Sequence, residues 1–323
     1  MIPVSLKRHL PLYRKRWHRQ HQALIEEISA LMPALVLGGD AKAPWIEDTK
    51  AGVWFSGFET DQANALLHDM LRSDLPEGLK KSHFRLVRDY VTRYVYPHLR
   101  PDLKPAGYGV DELSGFHGQH KDAIADLECS KQQKRLKEAF LPRADDTIID
   151  GGAFIGMGDV RMSRDLKQGR IIAVEAKHAC HELLAANIAK NNVENVEAVY
   201  GALWNVPGQL DLNVGDAQAN SLVGEVVAGN RSQQVQAWTI DGLVKKYELE
   251  RVSMVSLTLN GAEVEALEGA VTTLEELRPR IRLAGWYDRG GVPVWQSTRD
   301  FLVKHRYEVF VGPRGSVTAM PLD

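Results

Sequence analysis

The chain has 323 residues, 44% of them hydrophobic and 25% charged, with a formal net charge of −2. That length buries a sizeable core in one large domain or two smaller ones, and the near-neutral balance excludes a global electrostatic pull toward nucleic acid or a membrane surface. Two cysteines, Cys129 and Cys180, exclude a disulfide scaffold and fit a reducing, cytoplasmic setting, and no apolar run is long enough for an integral membrane segment.

Between Met1 and His21 lie Lys7, Arg8, Arg14, Lys15, Arg16 and Arg19 with no acid. A solvated or partner-packed helix is the plain reading, and docking of an acidic glycan, an anionic lipid surface or a carrier protein is the sharper one. Leu24, Ile28, Leu31 and Leu35 form one helical stripe, and Phe84, Val87, Val91 and Tyr94 form a second. Residues 1–120 are therefore expected to be a helical accessory region. Its aromatics (Trp17, Trp45, Trp54, Phe55, Phe58) need burial, in an acceptor pocket or a homo-oligomer interface.

Pro101, Pro105 and Gly107 break this pattern, and a charged helix over Asp122–Phe140 leads into a second texture. Over 121–323 strands are expected near 147–150, 171–175, 196–200, 252–259, 280–286, 306–311 and 316–320. Helices are expected near 156–167, 178–191, 240–247, 262–277 and 296–305. The glycine-punctuated stretch 205–238 reads as a β-hairpin insertion, and Gly312-Pro313-Arg314-Gly315 reads as a hairpin turn. Such alternation predicts an α/β fold: a Rossmann-like, mostly parallel sheet with an antiparallel C-terminal hairpin.

The densest chemical signal is Ile148-Ile149-Asp150-Gly151-Gly152-Ala153-Phe154-Ile155-Gly156. An apolar strand ends on an acid, a small-residue turn follows, and a helix opens. Glycines let a ligand approach the backbone, while the acid would repel a pyrophosphate and welcome a cationic amino group beside a sulfonium. S-adenosylmethionine has both groups. Glu175 ends the second strand, where an acid is placed to hold ribose hydroxyls. Asp150, Gly152, Ala153, Phe154 and Glu175 are the candidate cofactor contacts. Leu203 and Trp204, after the third strand, are further candidates, with adenine stacking and core packing both open for Trp204.

Several segments, in this order and spacing, resemble the FkbM family of S-adenosylmethionine-dependent methyltransferases over roughly residues 125–323. They are IIDGGAFIG (148–156), IIAVEA (171–176), LLAANIAKNN (183–192), WTIDGL (238–243), NGAEVEALEGA (260–270) and the closing YEVF…VTAMP. The resemblance implies a class I methyltransferase fold. It also implies O-methylation of a hydroxyl on a small-molecule acceptor: a sugar or other glycan, a polyketide or a similar secondary metabolite.

One departure bears on the chemistry. Where the family reads Ile-Lys-Ile-Asp-Val-Glu-Gly-x-Glu, this chain has Ser256, Thr258 and Asn260 at the lysine, aspartate and first glutamate, keeping Gly261 and Glu263. An alcohol acceptor gains ~10²–10⁴-fold from a general base. Either the acceptor is already acidic, or the base lies elsewhere, with Tyr287 and Asp288 as candidates beside Asn260 and Glu263. Asn260 and Glu263 also fit a capping box before the stripe Val264, Leu267, Val271 and Leu274.

No metal site is expected: His117, His120, Asp122 and Cys129, like His178, Cys180 and His181, lack paired zinc-ligand spacing. Two alternatives remain, a nicotinamide-dependent oxidoreductase and a methyltransferase-like binding protein that has lost catalysis.

Overall fold

The computed structural model describes residues 22, 24–95, 139–214, 220–223, 231–312 and 315–323. The basic N-terminal segment, the helix expected over 122–140 (save its last residues) and the His117/His120/Cys129 cluster lie outside them. The chain divides into two compact units, Met1–Ala106 and Gly107–Asp323; the boundary expected near residue 120 falls outside the described residues.

The first unit is not wholly helical. Residues 24–31 are helical and give way at Pro33 to strands β1 (Leu35–Gly38), β2 (Trp45–Asp48) and β3 (Val53–Ser56). These pair antiparallel in the order β1-β2-β3, so Leu35 belongs to a strand rather than to the helical stripe. The runs Leu-Val-Leu, Trp-Ile and Val-Trp-Phe suit a pleated, half-buried surface, and turns after Gly38 and Asp48 separate them. They are four residues each, too short for a helical stripe to be distinguished by eye. Helices α1 (Gln62–Leu71) and α2 (Lys81–Asp89) follow, and α2 runs on as a π-turn through Tyr90–Val95. Phe84, Val87 and Val91 are fully buried, as their spacing predicts. Tyr90 donates to the buried Asp48 at 2.7 Å, tying helix to sheet.

The second unit is built on a seven-stranded sheet of β4 (Thr147–Gly151), β5 (Arg170–Glu175), β6 (Val196–Tyr200), β11 (Met254–Leu257), β12 (Arg280–Ala284), β15 (Tyr307–Val311) and β16 (Ser316–Pro321). Its order is β15-β16-β12-β11-β4-β5-β6. The first five strands in sequence are parallel, and β16 enters antiparallel between β12 and β15. This is the class I methyltransferase arrangement of a Rossmann-like sheet. Helices α3 (Met157–Ser163), α4 (His178–Lys190), α5 (Ile240–Lys246), α6 (Glu263–Glu268) and α7 (Val294–Lys304) accompany it. The helix expected over 262–277 is interrupted: α6 ends at Gly269 and a π-turn occupies Thr273–Leu277. Asp241 ties that turn down by accepting from the Thr273 N–H and hydroxyl at 2.8 and 2.6 Å.

The insertion is a hairpin of β8 (Gly208–Val214) and β10 (Arg231–Trp238), flanked by β7 (Ala202–Leu203) and β9 (Asn220–Ser221). The central strands alternate by face. Ile149, Val255, Leu257, Ile281, Leu283, Val317 and Ala319 point into the main core with Ile240, Leu267 and Leu302 of the helices, each Val, Leu or Ile contributing ~1.5–3 kcal/mol. At the amino end of β4, the fully buried Asp146 pairs with Arg280 at 2.5 Å. No helix among the described residues is long and apolar enough to cross a membrane.

Candidate functional site

In an open parallel sheet, ligands bind beyond the carboxyl ends of the strands where the strand order reverses. Here that point lies between β4 and β11, at Asp150–Gly156 and Thr258–Asn260. Gly152 has φ +83°, and a Cβ there would sit 2.1 Å from the Thr258 carbonyl, so β11 presses directly on the turn. Gly156 caps α3 in the left-handed region, with Leu184 2.4 Å from where its Cβ would be.

Four of the turn's N–H groups are already used. Gly152 and Ala153 donate to the Val174 carbonyl at 2.9 and 3.1 Å, and Gly156 donates to Ala153 at 3.0 Å. Phe154, at φ +56°, donates to Glu175 Oε2 at 2.9 Å. The turn therefore offers close approach rather than a nest of free donors for a pyrophosphate.

Glu175 is 8% exposed; it also accepts from the Lys177 N–H at 2.9 Å. Burial pushes its carboxyl up to about 7. Two N–H bonds occupy about half of a carboxylate's acceptor capacity, leaving lone pairs for hydroxyl donors. Asp150 hydrogen-bonds Ser256 on β11 and Asp159 on α3, and burial raises its carboxyl. Asp159 is 1% exposed, its Oδ1 has no hydrogen-bond partner, and burial plus the Asp150 charge hold it well above the carboxylate range. Two carboxyls in contact cannot both ionise, so Asp159 keeps the proton. Leu203, 1% exposed, lies in the main core beneath Gly151 and forms the floor of the turn. Trp204 is half-buried, its N–H donating to the Trp238 carbonyl at 2.9 Å.

Beyond β11 the chain turns through two left-handed residues, Asn260 (φ +53°) and Gly261 (φ +107°). Glu263 is fully buried and holds this turn from inside. Its oxygens accept the Leu259 and Gly261 N–H groups at 2.8 and 3.0 Å, and burial pushes it up to about 7. Asn260 does not cap α6, whose N-cap is Ala262. Instead Asn260 Oδ1 accepts from the Tyr287 hydroxyl at 2.6 Å, and its carbonyl accepts from Ser221 of the insertion at 3.0 Å. The expected capping box therefore does not form: Glu263 is the first residue of α6 and holds the preceding turn, and the left-handed turn carries the Asn260 side chain away from the helix. Burial raises the Tyr287 phenol, with the Glu263 charge adding to the effect. Asp288 is exposed, accepting the Gly291 N–H at 2.8 Å in the turn between β13 (Asp288–Arg289) and β14 (Val292–Pro293). Asn260, Glu263 and Tyr287 are thus brought together, and Asp288 serves a surface turn.

His178, Cys180 and His181 fall on the first turns of α4. Cys180 is buried, while His178 and His181 both lie against the Tyr200 ring at 5.4 Å. Among the described residues, no three His, Cys, Asp or Glu gather as a metal cluster. Sequence reasoning passed over Asp159 and Arg282. Arg282, on β12, donates to Ser256 at 3.0 Å. An acid in a short helix carries no local mark of burial. Arg282 was detectable, because Ser256/Thr258, Arg280/Arg282 and Ser316/Thr318 alternate with apolar residues on three neighbouring strands.

Residues 150–309 match the family model described as the methyltransferase FkbM domain. Methyltransferase sdnD of Sordaria araneosa is 25% identical over 174 residues, 44% of this chain and 67% of the relative. Among solved structures, an FkbM methyltransferase from Methylobacillus flagellatus aligns with TM-score 0.42 and 11% identity over 81% of this chain and 71% of its own. A methyltransferase from Streptococcus mutans in complex with SAH aligns with TM-score 0.37 and 13% identity over 57% and 93%.

Proposed function

We propose that this chain, which belongs to the FkbM methyltransferase family through residues 150–309, takes S-adenosylmethionine as methyl donor and transfers the methyl group to an oxygen of a small molecule. The observation that carries the donor assignment is the turn flanked by Asp150 and Glu175, with four of its N–H groups already taken. A pyrophosphate there would meet a carboxylate and few free donors. The donor's cationic amino group would meet Asp150, and its ribose hydroxyls would donate to Glu175.

When bound, the donor supplies a methyl group on a sulfonium, activated enough that alignment carries most of the remaining burden. Asp150 holds the amino end, and its contact with protonated Asp159 fixes the carboxyl's direction. Glu175 holds both the ribose and the Phe154 N–H, so ribose binding and turn geometry are coupled. Leu203 floors the pocket, and Trp204 borders the adenine end. Asn260 and Tyr287 form the neutral polar wall on the acceptor side, with Glu263 keeping their turn in its left-handed shape.

Calorimetry with S-adenosylhomocysteine and, separately, NADH tests the donor assignment. Saturable binding of the first and none of the second is expected. Tight NADH binding with no response to S-adenosylhomocysteine overturns it.

A further inference from the structure

Three acids near the acceptor end were candidates for removing a proton from an alcohol, and each is otherwise engaged. Both Glu263 oxygens hold backbone N–H groups, Asp288 holds a surface turn, and the Tyr287 phenol donates to Asn260. The sheet face beside them has a different character from the dry face. Residues Asp150, Ser256, Arg282 and Thr318 stand side by side across four strands, β4, β11, β12 and β16. The next row toward the carboxyl end carries Gly152, Thr258, Ala284 and Ser316, Thr258 following Leu257 and its N–H bonding Gly151.

Several of these groups lack partners within the protein. The Oγ1 of Thr318, a residue 4% exposed, and the buried Oγ of Ser316 make no hydrogen bond. Leaving a buried hydroxyl unpaired is costly, and two on one face beside an arginine mark a place that a polar ligand completes. Arg282 gives one hydrogen bond, to Ser256, and is half-buried. Its fork retains further donors suited to a planar carboxylate.

We infer that the acceptor presents a carboxylate, held by Arg282 with the hydroxyls of Ser316 and Thr318, and that the product is a methyl ester. This rests on the donor reading above. The carboxylate oxygen forms the new O–C bond as the C–S bond breaks, and the C–S electron pair stays on sulfur. Charge is neutralised on both partners, no proton is released, and no base is required.

Full-length protein is titrated by calorimetry with benzoate and hexanoate, each paired with its neutral analogue (benzamide, hexan-1-ol), with and without saturating S-adenosylhomocysteine. The carboxylates are expected to bind and the neutral analogues to bind at least about tenfold more weakly. Arg282→Met should weaken carboxylate binding by at least about tenfold, and Arg282→Lys should restore part of it. Thr318→Val keeps the side-chain shape. It should weaken carboxylate binding while raising the melting temperature of the free protein, since it removes an unpaired buried hydroxyl. Equal binding of acids and neutral analogues overturns the inference, as does undiminished carboxylate binding by folded Arg282→Met. Carboxylate binding without any S-adenosylhomocysteine binding overturns the donor reading instead.

Discussion

Glu175 allows the sharpest test of the cofactor side, because two effects of opposite sign meet in one carboxyl. Its value is raised from 4.5 to about 7, chiefly by burial. Between those limits the folded protein holds a proton that the unfolded chain has lost. The associated stability is fully present below about 4.5 and gone above about 7, a change of up to about 3 kcal/mol at 1.36 kcal/mol per unit. Ribose binding runs the other way. Hydroxyl donors need the ionised carboxylate, so affinity for S-adenosylhomocysteine should fall up to about tenfold per pH unit below pH ~7.

Calorimetric titrations at about pH 6, 7 and 8, with thermal melts of the free protein, measure both slopes. Glu175→Gln keeps an acceptor for one N–H but cannot titrate, so it should reduce both slopes; the Asp150 and Asp159 contributions remain in each protein. Glu175→Ala removes the two expected ribose bonds, each about 1.5–3 kcal/mol before water replaces part of it, so Kd should rise about 100-fold. It also strands the buried Phe154 N–H, which lowers stability by about 1–3 kcal/mol. A Glu175→Ala protein with Kd within about threefold of wild type, or a wild-type pH slope unchanged in Glu175→Gln, would refute the assignment.

Gly152→Ala places a Cβ 2.1 Å from the Thr258 carbonyl at φ +83°; folding stability should drop by about 2 kcal/mol or more in denaturant melts, with S-adenosylhomocysteine binding lost. Arg280→Leu removes the nearer ion-pair partner of the fully buried Asp146 and leaves it Arg251 at 3.8 Å, which should cost about 3 kcal/mol in the same assay. Methyl transfer should survive EDTA and ignore added magnesium, since Ser256, Thr258 and Asn260 are poor ligands for a hard cation. Loss on chelation with recovery on magnesium or manganese would refute this reading.

Much of the second unit was legible because its signals are local. Strand β4, its terminal acid, the small-residue turn and Glu175 follow one another between Thr147 and Glu175, and each step is a statement about neighbours in the chain. The apolar runs of β5, β6, β15 and β16 and the stripe of α4 are likewise short-range periodicities. Legibility failed where a pattern was too brief or was overridden. The four-residue strands β1, β2 and β3 gave too few positions to separate period two from a helical stripe. Asn260 matched a capping box until its left-handed backbone turned it toward Tyr287.

What the sequence determined by itself is the order of strands and helices after residue 140, the glycine-rich turn and the acids that flank it. The tertiary structure alone decided which distant groups meet. Asp150 finds Asp159 only because α3 folds back over β4, and it finds Ser256 and Arg282 only through the β4-β11-β12 register. Ser221 reaches Asn260 only because the insertion returns to the end of β11. Whether a carboxyl keeps its proton, or an arginine keeps donors to spare, depends on burial and on neighbours far along the chain. Periodicity along the chain records which face a residue takes, but not which strand or helix comes to lie beside it.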